Sequence, residues 1–361
     1  MEPEVHKKPI RFYEIDLLRF LAALSVVFYH YTYRGYQEGH MSPVAYPELA
    51  SFTKYGRMGV ALFFIISGYV VLLSAHGKTP RQFFLSRVTR LYPAFWAATI
   101  FTFTLLRLTG PHPTHPGYDI WGWHFLVNMT MMYGFTGTPQ VDSAYWSLPV
   151  EITFYFLIAI VIGWKLYKAL PWLLALWLIY TAVVGPAAAN TPFSILFFPN
   201  NSPYFVAGMV FYMLQNKWFA SWKLYALLAA SFPLALRSVH LDIVTSIQVF
   251  KDPNYSFTLA AIVTACFYIV FFLIINRIIN LEKQRWLAWL GALTYPLYLV
   301  HSTVGYLILE KVGDSINKYL LLAGIVTLAL LLAYLIHKLV EKPLHKPLGN
   351  ATNRLLQFLG T

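Results

Sequence analysis

The first apolar stretch reads Tyr13-Glu-Ile-Asp16-Leu-Leu-Arg19-Phe-Leu-Ala-Ala-Leu-Ser-Val-Val-Phe-Tyr-His30-Tyr-Thr-Tyr33, and its reading decides the fold. A run of this kind is long enough to cross hydrocarbon as one helix, which takes ~17 to 25 residues. Asp16 and Arg19 interrupt it and no small-residue cleavage site follows, so it is expected to remain as a span and not to be cut as a signal peptide. Arg19 and His30 are eleven residues apart, which at about 100° per residue is three turns and ~20°. The two side chains therefore share one helix face, about 16 Å apart along the axis. A titratable group in a membrane costs at least ~2.5 kcal/mol, so each is a functional candidate.

The rest of the chain repeats the pattern. Of 361 residues, 58% are hydrophobic, 18% aromatic and only 12% charged, about half the charge of a soluble domain. Further apolar runs lie near 58–75, 91–108, 147–164, 170–188, 199–214, 222–236, 256–276, 286–309 and 319–338. The fold class is an all-α integral membrane bundle of about ten transmembrane helices, forming one domain over 1–345 with a short cytoplasmic tail at 346–361. An even number of spans puts both termini on one side. Placing them in the cytoplasm assigns 18 Lys and Arg to the inner segments and 8 to the outer ones, as the positive-inside rule expects for a plasma (inner) membrane protein. The +12 net charge then faces anionic lipid and implies no nucleic-acid partner. One cysteine, Cys266, excludes a disulfide framework and a cysteine zinc site.

Two regions break the helical pattern: an outer loop at 109–145, with Pro111, Pro113 and Pro116, and a segment at 192–203, with Pro192, Pro199, Asn200, Asn201 and Pro203. Irregular backbone at membrane depth is tolerated where it lines a cavity. His112, His115 and His124 in the outer loop do not form a zinc pattern, and no metal is expected. Glu151, at the start of the fourth run, and His301, in the ninth one turn after Tyr298, are expected at the same outer depth as His30. Arg87 and Arg90 stand one turn apart where the third run leaves the cytoplasm, a pair suited to phosphates.

The order of these pieces resembles the acyltransferase 3 family of multi-pass membrane O-acyltransferases. The resemblance rests on Arg19 with His30, Gly59-Val with Phe63-Phe64 and Ile66-Ser67-Gly68, Arg87-x-x-Arg90-Leu91-x-Pro93, Trp146-Ser147-Leu148 with Glu151 and Tyr155, Phe205 with Gly208, Leu290-Gly291 with Tyr295, Leu297-Tyr298 and His301, and Glu341-Lys342-Pro343. Departures are Ile152, where many relatives carry a second acid, Thr294 and Tyr69. The resemblance implies transfer of an acyl group, usually acetyl, from cytoplasmic acyl-CoA to a hydroxyl of an extracytoplasmic or lipid-linked glycan, with no permanently bound cofactor. On that reading Arg19, Arg87 and Arg90 hold the CoA phosphates, and His30 is general base or acyl carrier. Glu151 and His301 assist it, and Tyr298, Trp146, Ser147 and Asn201 contact substrate or the oxyanion. The alternative class is a secondary transporter or a lipid or glycolipid flippase, which would be expected to show two related halves. The sequence shows none.

Overall fold

The computed structural model describes residues 12–38, 41–110, 119–184, 191–313 and 315–358. Lys7, Lys8, Arg11, Pro111, Pro113, Pro116, His112 and His115 lie outside the described residues. Within them the chain is helical with no strand. The principal helices are α1 (Tyr13–Tyr29), α2 (Gly59–Ala75), α3 (Pro80–Thr109), α4 (Ser147–Gly163), α5 (Leu170–Val184), α6 (Ser202–Gln215), α7 (Ser221–Phe250), α8 (Phe257–Ile275), α9 (Leu287–Val312), α10 (Lys318–Ile336) and α11 (Lys342–Phe358).

Among the described residues, nine helices are long and apolar enough to cross a membrane. The expected span at 199–214 is α6, which has 14 residues and rises only ~21 Å, less than the ~30 Å of hydrocarbon. It survives because protein surrounds it: every side chain from Ser202 to Met213 is buried. The chain reaches it through Phe198, whose backbone is left-handed at φ 30°, and through Pro199, Asn200 and Asn201. This is the broken segment foreseen at 192–203.

Small residues set how closely the bundle packs. A Cβ on Gly208 of α6 would overlap the carbonyl oxygen of Ile65, and one on Gly68 of α2 would overlap that of Phe205. The same device joins α1 to α9. A Cβ on Gly291 would strike the Asp16 side chain, and one on Gly305 would strike the Tyr31 ring. With Gly305 in place, Tyr31 lies across α9 and donates 2.7 Å to the His301 carbonyl. These two glycines fix α1 against α9 above and below the histidines.

Two helices widen into single π turns, a feature often found at functional sites. The first, His30–Arg34, continues α1. The second, His337–Glu341, joins α10 to α11, and Glu341 accepts a 2.8 Å bond from the His337 ring. The segment expected as a tail is helical to Phe358 and leans on the start of α3, where Arg81 donates to the Asn353 carbonyl (3.0 Å) and side chain (2.9 Å).

Substituting Gly208→Ala should cost about 1–3 kcal/mol by forcing α2 and α6 apart. A thermal midpoint in detergent equal to that of the parent protein would contradict this packing.

Candidate active site

His30 is the first residue of the π turn that ends α1. Its Nδ1 lies 2.8 Å from the Val26 carbonyl and 3.1 Å from Nε2 of His301. The Nδ1 of His301 faces the carbonyls of Tyr298 at 2.9 Å and Leu297 at 3.2 Å. Carbonyl oxygens only accept, so both Nδ1 atoms carry the proton when the rings are neutral. His301 Nε2 is then a lone pair that accepts from His30 Nδ1–H, and the remaining lone pair of the couple sits on His30 Nε2. Arg34, one turn on, points Nη1 at that atom from 3.3 Å. The tautomers thus follow from the partners of each nitrogen, and both rings are shut away from solvent at 4% and 0% exposure.

Two cavities lie nearby, and His30 lines the first of them. One, of about 570 Å³, is lined by His30, Arg34, Trp146, Asn200 and Asn201, among others. The second, of about 560 Å³, is lined by Arg19, Arg87, Arg90, Glu151 and Ser147, among others. They share the side chains of Val60, Phe64 and Tyr298. Tyr298 is held rigidly in this common wall: its hydroxyl donates to the Ala144 carbonyl at 2.8 Å and accepts from Ser147 Oγ at 2.7 Å.

The second cavity gathers three arginines, Arg19, Arg87 and Arg90, with the carboxylates Asp16 and Glu151. None of its three guanidinium groups has a carboxylate within ion-pair distance among the described residues. Arg19 sits amid Asp16, Arg90, Glu151 and Tyr155, while Arg87 lies over the rings of Phe83 and Tyr155, 5.5 Å from each centroid. Glu151 is engaged elsewhere, accepting from Ser67 Oγ at 2.8 Å and from the Tyr155 hydroxyl.

The expectation that Glu151 meets His30 at one depth is therefore corrected. His30 and His301 do meet, but Glu151 belongs to the arginine cavity. The reason is local. A 3₁₀ turn at Ser143–Trp146 precedes α4, so Ser147 is the residue of α4 that reaches Tyr298, and Glu151 lies one turn further along. Trp146 and Asn201 line the His30 cavity, whereas Ser147 lines the arginine cavity.

Two residues escaped the sequence reading. Arg34 is among the eight outer Lys and Arg of the sequence reading, and its spacing of four from His30 is the signal that marks it. Asp142 is fully buried and accepts 2.8 Å bonds from the backbone N–H of Ala144 and of Thr303. With the 2.9 Å contact between Ser143 and Ser302, it pins the turn before α4 onto α9 beside His301. Its position as a cap in front of Trp146-Ser147 was the available signal.

The profile of the acyltransferase 3 family, an acyltransferase domain, matches residues 12–338. The chain belongs to this family. Similar curated proteins include nodulation protein 10 of Rhizobium leguminosarum bv. viciae, 27% identical over 42% of this chain and 45% of that protein. The acyltransferase MdmB of Streptomyces mycarofaciens is 26% identical over 62% of this chain and 54% of its own. A candidate peptidoglycan O-acetyltransferase, YrhL, of Bacillus subtilis (strain 168) is 25% identical over 87% of this chain and 52% of its own. The chain thus spans about half the length of these curated relatives. No solved structure matches it. The family match runs from the start of α1 to the π turn after α10 and so takes in both cavities and both histidines.

If His301 holds the proton on His30 Nδ1, His301→Leu should lower kcat by roughly 10²-fold or more with little change in donor KM. His301→Gln, whose amide oxygen can still accept that bond, should retain more activity than the leucine variant. Equal activity in the two variants would remove His301 from the site.

Proposed function

We propose that the chain is a membrane O-acyltransferase that moves an acyl group, most simply acetyl, from acyl-CoA in the arginine cavity to a hydroxyl presented in the His30 cavity. The observation that carries this is the back-to-back arrangement. A cavity with three guanidinium groups that have no carboxylate in ion-pair distance among the described residues shares a wall with a cavity containing an imidazole lone pair. Each volume is within the ~300–1,000 Å³ of small-molecule sites. The CoA phosphates would bind Arg87 and Arg90, which suit phosphate oxygens, and the thioester would reach past Tyr298 toward His30.

In the reaction, the acceptor hydroxyl displaces Arg34 from His30 Nε2 and gives its proton to that nitrogen as its oxygen attacks the thioester carbonyl. The carbon–sulfur bond then breaks. The CoA thiolate takes the proton from His30, leaving an ester, a CoA thiol and a neutral imidazole. Glu38, which bonds the Nε of Arg34, keeps the displaced guanidinium nearby, where it can face the developing oxyanion. His301 keeps the His30 ring in the one tautomer that leaves Nε2 free.

We place the donor side in the cytoplasm of a plasma membrane protein, with the N-terminus inside. The distribution of Lys and Arg supports this orientation, and so does the position of Arg87 and Arg90 near the start of α3. The acceptor is then a glycan or glycolipid on the far face.

Purified protein in proteoliposomes should release CoA from acetyl-CoA only when a hydroxyl acceptor is present. His30→Ala should lower kcat by ~10²–10⁴-fold yet still bind CoA. Arg90→Ala should raise the acetyl-CoA KM by roughly 10–100-fold, the loss of one charge-assisted contact of about 1.5–3 kcal/mol. Full turnover by the His30 variant would refute the assignment.

A further inference from the structure

The two cavities differ in how their charges are used. In the arginine cavity none of the guanidinium groups has a carboxylate within ion-pair distance among the described residues. On the wall of the His30 cavity the lysines and arginines are Arg34, Lys54 and Arg57, and each already has a carboxylate. Arg34 is bonded to Glu38, Lys54 lies 3.2 Å from Asp252, and Arg57 lies 2.8 Å from Asp242.

These pairs are tied in by further contacts. Lys54 also donates to the Asn254 carbonyl at 2.8 Å, and Tyr33 donates to Asp252 at 2.9 Å. Arg57 also bonds the Ser246 hydroxyl. Asp252 lies between α7 and α8; burial tends to raise its carboxyl. The Asn254 N–H and the Tyr33 and Lys54 donors outweigh burial and hold it below the ordinary range, so it stays ionised against Lys54. Besides these pairs, in which the Asp242 side chain is 58% exposed, the wall offers uncharged partners: the amides of Asn200, Asn201 and Gln140, the hydroxyl of Ser143, and the ring of Trp146, which is 43% exposed.

We propose that the acceptor group entering the His30 cavity is electrically neutral: an uncharged sugar or polyol, laid against Trp146, with no carboxylate, phosphate or ammonium on the ring that presents the hydroxyl. An anionic ring would have to pull a cation from its partner and would then face the carboxylate it had displaced. A cationic ring would meet the same difficulty with the signs reversed. A neutral ring needs only amide and hydroxyl partners and an apolar C–H face against an aromatic, and the wall supplies these. The inference rests on the acyl-transfer reading and narrows it, because charge then separates the two substrates: the polyanionic donor suits one cavity and the neutral acceptor the other.

The test has two stages. Mass spectrometry of O-acylated glycans from cells with and without the gene, and with it restored, identifies the sugar whose acyl group depends on the protein. A neutral hexose, deoxyhexose or N-acetylhexosamine is expected. A uronic acid, a sialic acid or a phosphorylated sugar would overturn the inference while leaving acyl transfer intact, and loss of acyl groups from no glycan at all would overturn the glycan reading beneath it. With the sugar known, its alkyl glycoside and the 6-carboxylate of that glycoside are compared as acceptors for the protein in proteoliposomes. The parent protein should use the carboxylate at least tenfold less well in kcat/KM, and Asp242→Asn, which frees Arg57, should narrow that gap. Equal use of both by the parent protein would overturn the inference.

Discussion

The hydrogen bond from His30 Nδ1–H to His301 Nε2 is the constraint on which the site depends. Taken alone, a buried imidazole can carry its proton on either nitrogen. Here the carbonyls of Val26, Tyr298 and Leu297 accept from the two Nδ1 atoms, and the only assignment that satisfies all of them leaves a lone pair on His30 Nε2. For two rings on different helices to come this close, α1 and α9 must pack with little side chain between them. Gly291 and Gly305 allow that, and Tyr31 adds a bond to the carbonyl of His301 itself. The packing of small residues and the protonation of His30 are thus one fact seen at two scales.

The two cavities that meet at Tyr298 follow from where polar side chains are tolerated inside hydrocarbon. Charges at membrane depth face one another or a cavity. In the His30 cavity they neutralise each other across the π turn after α1, the turn before α2, α7 and the loop carrying Asp252. In the second cavity the arginines of α1 and α3 converge with no carboxylate in ion-pair distance among the described residues. That contrast gives the bundle a chemical direction, with Tyr298 at the point where the two environments touch.

Much of this was legible in the sequence, and the reasons for success and failure are physical. The shared face of Arg19 and His30 follows from helix periodicity alone, and the apolar runs located the spans because hydrocarbon sets their length. Periodicity along one helix says nothing of how another enters the bundle. For that reason Glu151 was matched in depth to His30, when the 3₁₀ turn before α4 places Ser147 there instead. Similarly, hydropathy cannot distinguish a span from a buried half-length helix, as α6 proved to be. Arg34 and Asp142 act through a π turn and a buried cap, local backbone features that composition does not register.

The most direct measurement is a cryo-electron microscopy structure of the protein with an acetyl-CoA analogue whose thioester sulfur is replaced by oxygen. The account predicts phosphates against Arg87 and Arg90 and the acetyl carbon beside Tyr298 on the side of His30 Nε2. An analogue seated outside the arginine cavity, or with its acetyl end directed away from His30, would contradict it.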